Sequence, residues 1–155
     1  MRARLRRIPR WLVLIVVGLA VFAMFLVVVG PLFTASGPLS AEIAAALPTH
    51  ALAGRPLEVD LAYDNTGSTL ISPVCVGVDV SGPMRPSYAV FLSVDRVQFA
   101  AGAVCGGSLG GGDTVSIRLF LAPTQPGSAR LRLTPRQGAT PVGKQVATTV
   151  LVGPP

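Results

Sequence analysis

From residue 56 onward the chain alternates apolar and polar side chains, which constrains its fold more than any other feature. In PLEVDLAYD, Leu57, Val59, Leu61 and Tyr63 alternate with Glu58, Asp60, Ala62 and Asp64. A period of two sends successive side chains to opposite faces of an extended strand, one buried and one solvated. The same period runs through ISPVCVGVDV, where Val74, Val76, Val78 and Val80 form the apolar row. SYAVFLSVD (87–95) reads as a further strand. DTVSIRLFLA (113–122) places Val115, Ile117, Leu119 and Leu121 on one face. SARLRLTP (128–135) buries Ala129, Leu131 and Leu133 and exposes Arg130 and Arg132, and KQVATTVLV (144–152) ends the series. Turn residues separate the runs: Asn65-Thr66-Gly67-Ser68, Ser81-Gly82-Pro83, a glycine-rich stretch at 106–112, Pro126-Gly127 and Gln137-Gly138. Short strands so punctuated predict an all-β sandwich of about seven strands. No long helical period follows residue 34, which argues against α/β architecture.

These turn residues carry a resemblance. Asn65, Gly67 and Ser68, then Gly112, Asp113, Thr114, Ala122, Pro123, Pro126 and Gly127, resemble the pattern of bacterial extracytoplasmic immunoglobulin-like domains, such as the cell-adhesion-related domain found in bacteria. The resemblance covers most of residues 56–152. It implies an immunoglobulin-like sandwich with a binding or spacer role and no catalytic set. The chain departs from that pattern in having one such domain and a cysteine pair.

Residues 11–33, WLVLIVVGLAVFAMFLVVVGPLF, carry no charge. At about 1.5 Å per residue a helix of this length spans roughly 34 Å, against about 30 Å of bilayer hydrocarbon. Five arginines (Arg2, Arg4, Arg6, Arg7 and Arg10) precede the run, and the next basic residue is Arg55. The positive-inside rule then places the N-terminus in the cytoplasm and residues 34–155 outside the cell membrane. The expected organisation is a basic cytoplasmic tail at 1–10 and a single-pass transmembrane signal anchor at 11–33. A stalk and edge strand at 34–54 and the sandwich at 55–153 follow. A cleavable signal peptide is the alternative for 11–33, although its apolar core is longer than usual. AEIAAAL (41–47) is assigned as an edge strand because Pro48 and Gly54-Arg55-Pro56 close it so soon.

The net charge of +6 does not point to nucleic acid. Beyond residue 10, eight basic residues face seven acidic ones, so the excess belongs to the tail. A nucleic-acid interface would spread basic charge over a folded face.

Cys75 and Cys105 are the two cysteines. In an oxidising compartment a disulfide is favoured. With Val74–Val80 facing the core, Cys75 points the other way, so the bridge would tie that face to the glycine-rich loop without crossing the core. Free thiols or a metal or redox site are the alternatives, but His50 and Met84 add a poor ligand set.

Candidate chemistry is sparse. Asn65-Thr66-Gly67 resembles the Asp-Thr-Gly loop of aspartic proteases, but an amide cannot share the proton that such a dyad needs. GGSLGGGD (106–113) lacks the Gly-Lys-Ser/Thr ending of a phosphate loop and reads as a flexible loop. His50 has no acidic neighbour in sequence. Glu58 and Asp60 are expected to pair across strands with Arg118. Phe91 and Phe120 fall on nominally outward positions and are partner-contact candidates, as are Arg130 and Arg132 on their shared face. No cofactor is expected. The expected function is a non-enzymatic, membrane-anchored extracytoplasmic interaction or assembly module, with lipid contact through 11–33 and a protein partner in the envelope. The alternatives are an accessory subunit of a membrane complex held through its helix, and a secreted binding domain. An envelope hydrolase would require a clustered nucleophile and base that the sequence does not offer.

Overall fold

The computed structural model describes residues 15, 18–24, 37–91 and 96–155. The chain divides into two compact units, Met1–Ser36 and Gly37–Pro155. In the first, residues 18–24 are helical, and Leu19, Val21, Phe22 and Met24 are exposed. Among the described residues no helix is long and apolar enough to cross a membrane. Most of the span expected at 11–33, and all five N-terminal arginines, lie outside the described residues.

The second unit is a two-sheet β-sandwich. Its described strands are β1 (Ala41–Ala45), β2 (His50–Leu52), β3 (Leu57–Asn65), β4 (Val74–Ser81), β5 (Met84–Phe91), β6 (Arg96–Gln98), β7 (Ala103–Gly106), β8 (Thr114–Pro123), β9 (Gly127–Gln137), β10 (Thr140–Pro141) and β11 (Val146–Gly153). Sheet one has the order β1-β3-β8-β5-β6, and sheet two the order β2-β11-β9-β4-β7, with β10 paired to β9. Seven strands have five residues or more, which matches the number expected.

The alternation read from sequence explains the core. Val59, Leu61 and Tyr63 of β3 and Ile117, Leu119 and Leu121 of β8 point inward from sheet one. Val74, Val76 and Val78 of β4 and Ala129, Leu131 and Leu133 of β9 meet them from sheet two. Interdigitated apolar side chains between two twisted sheets remove both inner faces from water.

The N-terminal segment of this unit belongs to the sandwich. β1 lies antiparallel to β3, with Ala41 opposite Asn65 and Ala45 opposite Leu61. After Pro48, which lacks an N–H for a ladder, the chain changes sheets. There β2 runs parallel to β11, with His50 opposite Leu151. One short segment therefore covers an edge of each sheet, which limits unpaired strand edges.

β5 departs from the expected phase. Met84 is buried, and so are Ala89 and Phe91, although strict alternation from Met84 would bury even-numbered residues only. The register against β8 shifts between Pro86 and Tyr88. An extra residue at such a bulge turns every later side chain to the opposite face. Phe91 is therefore not an outward contact residue. It is 2% exposed, and its ring packs within 3.2 Å of where a Gly106 side chain would begin. The remainder of the expected strand, residues 92–95, lies outside the described residues.

Candidate interaction surface

The outward positions of sheet two form the first candidate face. On β9, Arg130, Arg132 and Arg136 alternate with the core residues Ala129, Leu131, Leu133 and Pro135, so all three guanidiniums leave the same side. Register places Arg136 opposite Cys75, Arg132 opposite Asp79 and Arg130 opposite Ser81 on β4. On the other flank, Arg132 faces Ala147 and Arg130 faces Thr149 on β11. Arg130 is exposed and Arg132 half-buried. Among the described residues, no salt bridge joins Arg132 to Asp79. The Nε atoms of Arg132 and Arg136 are shielded from solvent without a hydrogen-bond partner. A shallow hollow of about 410 Å³ lies beside Arg130 and Arg132, bordered by Asp79, Ser81 and Pro86.

The disulfide stands at the end of this face. Cys75 and Cys105 are direct partners in the β4–β7 ladder, with Cα atoms 4.1 Å apart. The bridge joins neighbouring strands of one sheet and leaves the core uncrossed, as expected from the outward phase of Cys75. Cys75 is nonetheless fully buried, while Cys105 is exposed. Arg136 lies across Gly77, where a Cβ would come within 2.6 Å of its Nε. Glycine at that position leaves room for the guanidinium to rest on the sheet.

Sheet one presents a different outer face. Asp60 sits opposite Arg118, which donates from Nε to Oδ1 at 2.6 Å and from Nη2 to Oδ2 at 3.3 Å. Glu58 Oε2 is 3.8 Å from the same guanidinium. The hydrogen bond to Asp60, with the charge of that carboxylate, raises the pKa of Arg118. The expected cross-strand pairing is therefore present. Phe120 is half-buried beside it, stacked on Tyr88 at 4.4 Å between ring centroids and 17° between planes. Glu42 and Asp64 occupy directly opposite outward positions on β1 and β3.

The loop that resembles a protease triad is a structural clasp. Asn65 is 1% exposed, and its Nδ2 donates to the carbonyls of Thr69, Leu109 and Gly110 at 2.8–3.0 Å. Its Oδ1 accepts from the Gly67 N–H, closing an Asx turn. The glycine-rich loop is consequently held in place, contrary to its reading as a flexible one. Ile71 and Leu109 form a β-bridge, and Gly111 packs against Ser68, where a Cβ would meet backbone at 2.7 Å. A turn at 65–68 was legible in the sequence; the Asx hydrogen bond that closes it and the acceptors 44 and 45 positions away had no local signal.

Tyr63, also buried, donates across the sandwich to the Arg136 carbonyl at 3.1 Å. Burial pushes its hydroxyl up to about 12. His50 lies exposed in β2, with Nδ1 2.9 Å from Thr49 Oγ1. Among the described residues no three His, Cys, Asp or Glu side chains gather where they could hold a metal ion.

Comparison with known proteins identifies the fold. No protein-family model matches the chain, and no curated protein matches it in sequence. The chain is similar in structure to the CARDB domain of a Pyrococcus furiosus protein solved in complex with di-metal ions. The TM-score is 0.51 at 19% identity, over 76% of this chain and 89% of that one. It is similar to a cohesin module of a Clostridium perfringens family 33 glycoside hydrolase, with TM-score 0.52 and 12% identity over 76% and 99% of the two chains. It is also similar to AvmM, which catalyses macrocyclisation in alchivemycin A biosynthesis, with TM-score 0.53 and 13% identity over 74% and 88%. Residues 37–155 form an immunoglobulin-like β-sandwich. At these identities the likeness establishes the fold alone.

Proposed function

We propose that this chain is a non-enzymatic, membrane-anchored extracytoplasmic module that binds a protein partner in the cell envelope. The observation that carries the reading is the outer face of sheet two, where Arg130, Arg132 and Arg136 stand together with Asp79 as the nearest carboxylate. Guanidiniums without intramolecular ion pairs are suited to carboxylates supplied by another surface. The half-buried Tyr88–Phe120 stack on sheet one offers a second, aromatic contact. The named modules that share the fold, a CARDB domain and a cohesin module, agree with a binding role. AvmM shares it too, so the reading rests on the faces and not on the fold.

Anchoring through 11–33 is supported by the uncharged run, the five preceding arginines and the exposed apolar side chains of the helical residues 18–24. Crosslinking in intact membranes, followed by affinity purification and mass spectrometry, tests the reading. A reproducible envelope protein lost in an Arg130→Gln/Arg132→Gln variant supports it, and an unchanged capture profile refutes it. The exposed residues Leu19, Phe22 and Met24 favour a second reading, an accessory subunit held by its helix. Exchanging 11–33 for an unrelated anchor separates the two: only the second loses its partner.

A further inference from the structure

We propose that the two outer faces of the sandwich are complementary to one another, so that a second copy of this chain docks its arginine face against the carboxylate face of the first. This rests on reading the sandwich as an interaction module and names its partner. Among the described side chains, the outward positions of sheet one carry Glu42, Glu58, Asp60 and Asp64, with Arg118 and Arg85 as the opposing charges. The outward positions of sheet two carry Arg130, Arg132 and Arg136 against Asp79. Residues beyond the tail are nearly balanced in charge, eight basic against seven acidic, yet four of the acids lie on strands of sheet one and three of the arginines line one side of β9 in sheet two.

Each face keeps a pair of neighbouring like charges. Glu42 and Asp64 are like charges directly opposite each other across a ladder, a destabilising arrangement. Arg130 and Arg132 share one side of one strand, and Nε of Arg132 lacks a hydrogen-bond partner. Bringing the faces together relieves both repulsions. Small side chains keep both faces open: Ala44, Ala62 and Ser116 leave a shallow hollow of about 370 Å³ beside the Asp60–Arg118 pair. The hollow on sheet two lies beside Arg130 and Arg132.

The contact is heterologous, because one copy offers one face and its neighbour the other. Such contacts extend into rows unless the rotation closes. A face of four strands about 4.8 Å apart and eight residues long covers roughly 500 Å². That is less than the approximately 800 Å² per partner of a standard stable interface, so the association is weak and salt-sensitive. Tethering copies in one membrane raises their effective concentration enough to use it.

The test is chemical crosslinking of the full chain reconstituted in phosphatidylcholine vesicles, where the tether is kept, at about 20 mM and about 500 mM salt. The proposal expects oligomers at low salt that dissociate at high salt. Arg130→Glu/Arg132→Glu and Glu58→Lys/Asp60→Lys should each weaken self-association about tenfold or more, since each leaves both faces with one sign. Mixing the two variants should restore association. The neutral Arg130→Gln/Arg132→Gln variant, with circular dichroism as a folding check, should show the same loss if a reversed variant misfolds. Monomers at low salt, salt-insensitive oligomers, or oligomers that persist in the reversed variants would overturn the proposal. Envelope partners captured in the crosslinking experiment without self-association would sink only this inference.

Discussion

Asn65, itself buried, shares two amide hydrogens among three backbone carbonyls, a task no carboxylate can perform. Asn65→Asp should therefore cost about 2–4 kcal/mol, the summed effect of lost donors and a buried acid. Burial beside carbonyl oxygens raises the pKa of the introduced carboxyl. A raised folded-state pKa gives stability that is present below the unfolded value, about 4, and lost as pH rises. Urea unfolding should show the variant closer to wild type at low pH than at neutrality, whereas Asn65→Ala should show no such pH dependence. Tyr63 gives a second pH prediction. Its folded pKa of about 12 lies above the ordinary value near 10, so its neutral hydroxyl stabilises fully below that value. That stability fades as pH approaches the folded pKa. Tyr63→Phe should lose about 1 kcal/mol at neutral pH and show a flatter alkaline stability profile.

At the scale of strands, the β5 bulge decides which side chains are core. Deleting Ser87 removes the extra residue and would turn Ala89 and Phe91 outward. The cost is expected at about 3 kcal/mol or more, the range for losing a buried phenylalanine. Ser87→Ala, at an exposed position, should stay within about 0.5 kcal/mol of wild type. Equal effects of the two changes in chemical denaturation would contradict the parity argument. The Cys75–Cys105 bridge ties β7 to β4 with a sequence separation of 30. The Cys75→Ala/Cys105→Ala variant should lose about 3–4 kcal/mol if chain entropy dominates, read from the shift in its unfolding midpoint. Denatured, unreduced protein should show no reactive thiol.

For the whole molecule, Gly37–Pro155 is a compact unit whose first strands, β1 and β2, complete both sheets. Removing residues 1–36 should leave its unfolding midpoint unchanged, whereas removal through Leu52 should abolish cooperative unfolding. Calorimetry of the two truncations checks this. The division of charge between the outer faces also exists only at this scale, because neighbours in the sheets come from distant parts of the chain.

The alternating pattern was enough to assign the inward rows of β3, β4, β8 and β9, because a period of two acts through local backbone geometry. It likewise put Arg130 and Arg132 on one outward side and turned Cys75 away from the core. The uncharged run at 11–33 and its arginine flank also belong to the sequence alone. Phe91 could not be phased from its neighbours, since a bulge is defined by mismatch with a partner strand 26 residues away, where Ile117 lies. The burial of Asn65, the anchoring of the glycine-rich loop and the opposition of the two charged faces required tertiary structure for the same reason. Each depends on contacts between residues far apart in the chain, and local propensity carries no record of them.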